Sequence, residues 1–268
     1  MKVFKNILYV CIFTVIFFVV QIFSTFFSLF IRVKLDREYA ISLLNCIKSL
    51  NPTDTDSLLT YTNLISELIP SILIINAIIL TVPFIIIIIK KKKKVFKPLK
   101  WMDILQYITL GVVLNVIISF IITLLPSNLI NDYTSTTNYI TTISFIPLLL
   151  SVGILAPIVE EIIFRYAMIT KLKSKPLLAL ILPALLFGIV HGNLVQGSYA
   201  FALGILFGYI YLKTDNLLTT IILHIAINSS SVIATYLNMK WIVILSIISF
   251  VIFIILCIKN KSFLKTET

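Results

Sequence analysis

Between Leu148 and Thr170 the chain reads LLLSVGILAPIVEEIIFRYAMIT, an apolar run long enough to cross a bilayer that carries two adjacent carboxylates and a guanidinium. A charged side chain at bilayer depth costs on the order of 3 kcal/mol. Such a run is tolerated only where its charges meet partners inside protein. Glu161 and Arg165 are four residues apart, acid first, so they share a helix face and neutralise each other. Glu160 points about 100° away around the same helix and has no partner in its own segment. Another part of the chain must supply one.

The chain has 268 residues, 59% of them hydrophobic, and a mean hydropathy of +1.09. A helix needs about 20 apolar residues to span a bilayer. Apolar runs at Ile7–Ile31, Leu64–Ile89, Ile104–Leu125, Ile143–Thr170, Leu177–His191, Tyr199–Leu212, Leu217–Leu237 and Trp241–Ile258 predict an all-α, polytopic membrane bundle of about eight transmembrane helices. Residues 1–268 then form a single integral membrane domain. Pro70 and Pro83 are possible kinks in the second run. The polar segment Arg32 to Asn63 has room for a short interfacial helix around Ala40–Leu50, and Pro126 to Thr142 reads as a polar loop.

The net charge of +11 would suit a nucleic-acid binder, but the bases sit at the ends of apolar runs, so no nucleic-acid partner is expected. The cluster Lys90–Lys94, Lys97 and Lys100 reads first as a topology anchor. With eight spans, 17 bases fall on the side of the termini and five on the other, which predicts both termini in the cytoplasm. The first run is too long for a signal-peptide core and reads as a retained helix. The preference for lysine and isoleucine points to an AT-rich bacterial genome, hence a bacterial cell membrane. Cys11 and Cys257 fall in spans and Cys46 in a loop, which gives no disulfide framework.

The only two histidines, His191 and His224, both lie in apolar runs. Phe187 shares a helix face with His191, and Asn228 with His224. Three helices thus each present a polar stripe: Glu160/Glu161/Arg165, His191, and His224/Asn228. Interhelical hydrogen-bond glue, worth about 1 kcal/mol per pair, explains any one of them; all together point to a site, since intramembrane ionisable groups are functional by default. Gly204 and Gly208 form a close-packing GxxxG face. Pro157, three residues before Glu160, bends its helix and frees backbone groups near the carboxylates.

LAPIVEEIIFR, LLFGIVH and ILHIAIN, in that order, resemble the motifs of the CPBP family, which comprises the type II CAAX prenyl endopeptidases and the bacterial bacteriocin-processing Abi proteins. The matching motifs are EExxxR (Glu160, Glu161, Arg165), FxxxH (Phe187, His191) and HxxxN (His224, Asn228), with Phe201, Gly204 and Gly208 similar to a glycine-bearing element between them. Tyr166 departs from the glycine that many members carry after the arginine. The resemblance implies a catalytic core at 143–238 in an intramembrane endopeptidase acting on a peptide or membrane-protein substrate from within the lipid bilayer.

Peptide hydrolysis needs an activated water and a donor for the oxyanion. Glu160 with His191 suits the first task, and His224 with Asn228 the second. Glu161, Arg165 and Phe187 are then structural support. Two versions stay open. The sequence requires no cofactor, having no HExxH motif, but Glu160, His191 and His224 also have the composition of a His₂Glu zinc site with a position open to water. Outside the enzymes, a membrane immunity or scaffold protein that retains the pocket is one alternative. A proton-coupled transporter is another, though no internal repeat supports it.

Overall fold

The computed structural model describes residues 2–51, 53–90, 95–137 and 143–260. The expectations on Lys91–Lys94, Lys261 and Lys265 fall outside the described residues. Regular structure among the described residues is wholly helical, in eleven helices. They are α1 (Lys2–Leu35), α2 (Arg37–Ser49), α3 (Thr55–Ser66), α4 (Ile69–Lys90), α5 (Trp101–Thr123), α6 (Ser127–Thr137), α7 (Phe145–Leu172), α8 (Pro176–Ile189), α9 (Leu194–Thr214), α10 (Leu217–Tyr236) and α11 (Met239–Lys259).

Seven of these, α1, α4, α5, α7, α9, α10 and α11, are long and apolar enough to cross a membrane. The chain is an integral membrane protein. The expected span at Leu177–His191 differs: α8 has only 14 residues, about 21 Å against a hydrocarbon core of about 30 Å. Gly192 stops it, with φ +70 in the left-handed region where glycine is at ease. Asn193 then starts α9 five residues before the expected Tyr199, its side chain accepting from the Val195 and Gln196 amides. Glycines hold the α8–α9 hairpin together. A Cβ on Gly188 would lie 2.7 Å from the Gly197 carbonyl oxygen, and one on Gly204 would lie 2.9 Å from Ala184 Cα.

The segment after α1 holds two short helices rather than one. Asp36 caps α2 and Asp54 caps α3. Cys46, expected in a loop, is buried in α2. Pro70 sits at the start of α4, where its missing N–H costs nothing, and Pro83 lies inside it.

Polar contacts gather one end of the bundle. Asn6 donates to the Lys171 carbonyl, the Lys97 amide to Asn216, and Asn260 to Asp103, while Lys173 pairs with Asp215. The beginnings of α1 and α5 therefore meet the ends of α7, α9 and α11. Arg165, one of the 17 bases assigned to the side of the termini, is instead fully buried inside the bundle.

Candidate active site

The helix α7 is not uniformly α-helical. Leu149–Leu155 and Ile162–Ile169 are wound as π-helix, flanking the α-helical Ala156–Glu161. The first widened stretch has a consequence at Pro157. In its five-residue register the Ala156 amide bonds to the Ser151 carbonyl. The next donor in that register, for Val152 O, would be the nitrogen of Pro157, which carries no hydrogen. Asn228 Nδ2 of α10 supplies the bond at 3.2 Å, and Ser229 Oγ donates to Gly153 O at 3.1 Å. The freed backbone expected at Pro157 is thus where α10 docks, through the adjoining pair Asn228 and Ser229. Gly153 makes the approach possible, since a Cβ there would lie 3.0 Å from Ser229 Oγ.

The α-helical segment presents its two carboxylates to different surroundings. Glu161 is fully buried. Its Oε2 lies 3.1 Å from Arg165 Nε, and its Oε1 lies 3.0 Å from His224 Nδ1. The Arg165 contact has ion-pair distance without hydrogen-bond alignment. The guanidinium instead lies 4.9 Å from the ring centroid of Phe187 and 5.4 Å from that of Phe207, whose faces attract cations. Phe187 also packs edge-on against both imidazoles, at 4.8 Å from His191 and 5.7 Å from His224. This one ring touches the arginine and both histidines.

Glu160, with 17% of its side chain exposed, turns the other way. Its Oε2 lies 3.6 Å from His224 Nε2, so His224 is held between the two glutamates by its two ring nitrogens. His191 lies just past the end of α8, its Nδ1 2.7 Å from the Phe187 carbonyl. A carbonyl only accepts, so Nδ1–H donates and the neutral ring keeps Nε2 as an acceptor.

Two cavities meet here. One, of about 310 Å³, is lined by Glu160, His191, Asn228 and Gln196, with α1 and α4 forming its far wall. The other, about 100 Å³, is lined by His191, His224, Asn228, Gln196 and Tyr133. The larger cavity is bounded by α1, α4, α7, α9 and α10 and by the turn after α8. Glu160, Glu161, Arg165, Phe187, His191 and His224 are joined by contacts, and Asn228 lines the larger cavity with Glu160 and His191. Sequence reasoning missed Phe207, Gln196 and Ser229. Phe207 and Gln196 had the signal of falling near the glycine motif of α9, but neither spacing nor charge marked them.

Among the described residues no three His, Cys, Asp or Glu side chains are grouped so as to hold a metal ion. Of the set considered for zinc, Glu160 approaches His224, while His191 contacts the Phe187 carbonyl.

A polytopic helical bundle with an ion-paired cluster of glutamates and histidines on membrane-crossing helices, beside a cavity, defines a class of integral membrane proteins built around an internal polar site. Residues 142–230 match the family model described as type II CAAX prenyl endopeptidase Rce1-like. Over this segment, about a third of the chain, the sequence is similar to the type II CAAX prenyl endopeptidases that the model describes, in agreement with the resemblance to the CPBP family. No curated protein and no solved structure matches the chain.

Proposed function

We propose that this chain is an intramembrane endopeptidase that hydrolyses a peptide bond with a water activated by Glu160 and His191. The observation that carries the reading is the split role of the two glutamates around His224. Buried Glu161 fixes Nδ1 while Nε2 addresses Glu160 at the wall of a cavity. A carboxylate orienting an imidazole is the arrangement hydrolases use to set its tautomer and direction.

In this mechanism a water in the larger cavity gives a proton to Glu160, assisted by Nε2 of His191, and its oxygen attacks the scissile carbonyl carbon. The carbonyl electron pair moves to oxygen. The second N–H of Asn228, the one not used on Val152 O, donates to that oxyanion, as does Nε2–H of His224 when protonated. The C–N bond then breaks, and Glu160 returns its proton to the leaving amine. No step is routed through a metal. Glu161, Arg165 and Phe187 are positioning residues. The catalytic core at 143–238 is the part that carries this chemistry.

Substrates of the class are membrane-associated or lipidated peptides. For a bacterial cell membrane the reading favours bacteriocin or pheromone processing over prenylated CAAX proteins. The basic end of the bundle, which holds both ends of the described chain, is assigned to the cytoplasm by its excess of lysine. Cysteine placed at Lys97 and at Asp132 should label from opposite faces; labelling of both from one face overturns the orientation.

The test is purified protein in nanodiscs with two internally quenched peptides, one farnesylated and ending in a CAAX sequence, the other apolar and unmodified, each with and without chelator. We expect cleavage of at least one by the wild type, none by Glu160→Gln, and no effect of chelator. No cleavage of either peptide, or equal cleavage by Glu160→Gln, rejects the reading in favour of a scaffold or immunity protein.

A further inference from the structure

The wall of the larger cavity opposite Glu160 comes from helices outside the matched segment. In α1, Phe17, Gln21 and Thr25 recur every four residues and line the cavity as one stripe. In α4 the run ILIINAIIL has one polar residue, Asn76, which lines the same cavity. Asn76 is 5% exposed, and its Oδ1 has no hydrogen-bond partner among the described residues. An unsatisfied buried amide oxygen costs about 1–3 kcal/mol. Thr25 spends its hydroxyl hydrogen on the Gln21 carbonyl, leaving its oxygen as an acceptor.

A peptide that reaches Glu160 inside a membrane must arrive with backbone N–H and C=O groups stripped of water and of helical partners, each costing several kcal/mol if unpaired. A primary amide offers a donor and an acceptor together, the complement of one peptide unit. We propose that Gln21 and Asn76, helped by Thr25, form a subsite that hydrogen-bonds the extended, uncharged backbone of the substrate beside the scissile bond. They are positioning residues rather than catalytic ones, and the inference rests on the endopeptidase reading. The matched segment then carries the chemistry while α1 and α4 hold the chain being cut.

The experiment uses the full chain in nanodiscs and the apolar quenched peptide. Asn76→Leu and Gln21→Leu, made separately, should each raise KM about tenfold with kcat within about threefold, the pattern of lost uniform binding. In a Glu160→Gln background, Asn76→Leu should weaken binding of the same peptide about tenfold by fluorescence anisotropy. A merely structural Asn76 would instead lower the yield or unfolding temperature and leave KM unchanged. Gln21 is exposed on α1, so its variant reports even where Asn76→Leu fails to fold. Cleavage with KM and Kd unmoved by either variant rejects the subsite and leaves the peptidase reading standing. Binding that depends on Asn76 without cleavage by the wild type rejects the peptidase and keeps the subsite. A peptide that neither binds nor is cleaved rejects both.

Discussion

The two faces of α7 differ more than one residue of spacing suggests. On one, Glu161 and Arg165 are both fully buried, locked to each other, to His224 and to two phenylalanine rings. On the other, Glu160 looks into a cavity of about 310 Å³ whose largely apolar wall carries amides, a hydroxyl and an imidazole. A fixed, dry ion pair stabilises a shape, whereas a carboxylate beside open space can exchange a proton. On the proposed reading one motif serves two purposes: its second glutamate and its arginine set the position of His224, and its first glutamate reacts at the cavity.

The largest expected effect that sharpens this contrast is on stability. Glu161→Ala strands a buried guanidinium and leaves His224 Nδ1 unpaired, and should cost about 3–5 kcal/mol, read as a large drop in the fraction folded in chemical unfolding. Normal accumulation with full activity would break the contrast. Asn228→Ala comes next. Removing an oxyanion donor should cut kcat by about 10²–10³, and loss of the bond to Val152 O should lower stability by about 1–3 kcal/mol. A change in stability alone would make Asn228 a dock and not a donor. The smallest effect concerns Pro157. Pro157→Ala restores an amide that can reach Val152 O, so the stability cost of Asn228→Ala should shrink by about 1 kcal/mol in the double variant. Strict additivity would show that the π-wound register is not what exposes that carbonyl.

Much of the bundle was legible because lipid leaves few choices. An apolar run in a membrane must be helical to satisfy its own backbone, so each expected run appears as a helix. The exceptions follow local chemistry. Gly192 and Asn193 end one helix and cap the next, which hydropathy does not weigh, and so α8 falls short of a span. Asp36 and Asp54 divide the segment after α1 into two capped helices. At the site, Glu161 with Arg165 was readable because a four-residue spacing survives in both α- and π-wound turns. The bond from Asn228 to Val152 was not, because it depends on a change of winding that a 3.6-residue period does not show. The contact of Glu161 with His224, 63 residues apart, was equally hidden. Sequence reasoning gave Glu161 only Arg165 as a partner, yet Glu161 approaches His224 to 3.0 Å, closer than Glu160 at 3.6 Å. Asn76 and Gln21 were passed over because a lone amide in an apolar helix resembles ordinary interhelical glue. That the two face one cavity is visible only once the helices are packed.

The most direct test of the account compares Glu160→Gln with Glu161→Gln in one nanodisc preparation, with cleavage of the quenched peptide and unfolding measured on each. The account predicts a split: Glu160→Gln unfolds like the wild type and cleaves nothing, while Glu161→Gln unfolds much more readily and keeps measurable cleavage in whatever fraction stays folded. Two variants that lose stability and activity in equal measure, or a Glu160→Gln that still cleaves, would contradict it.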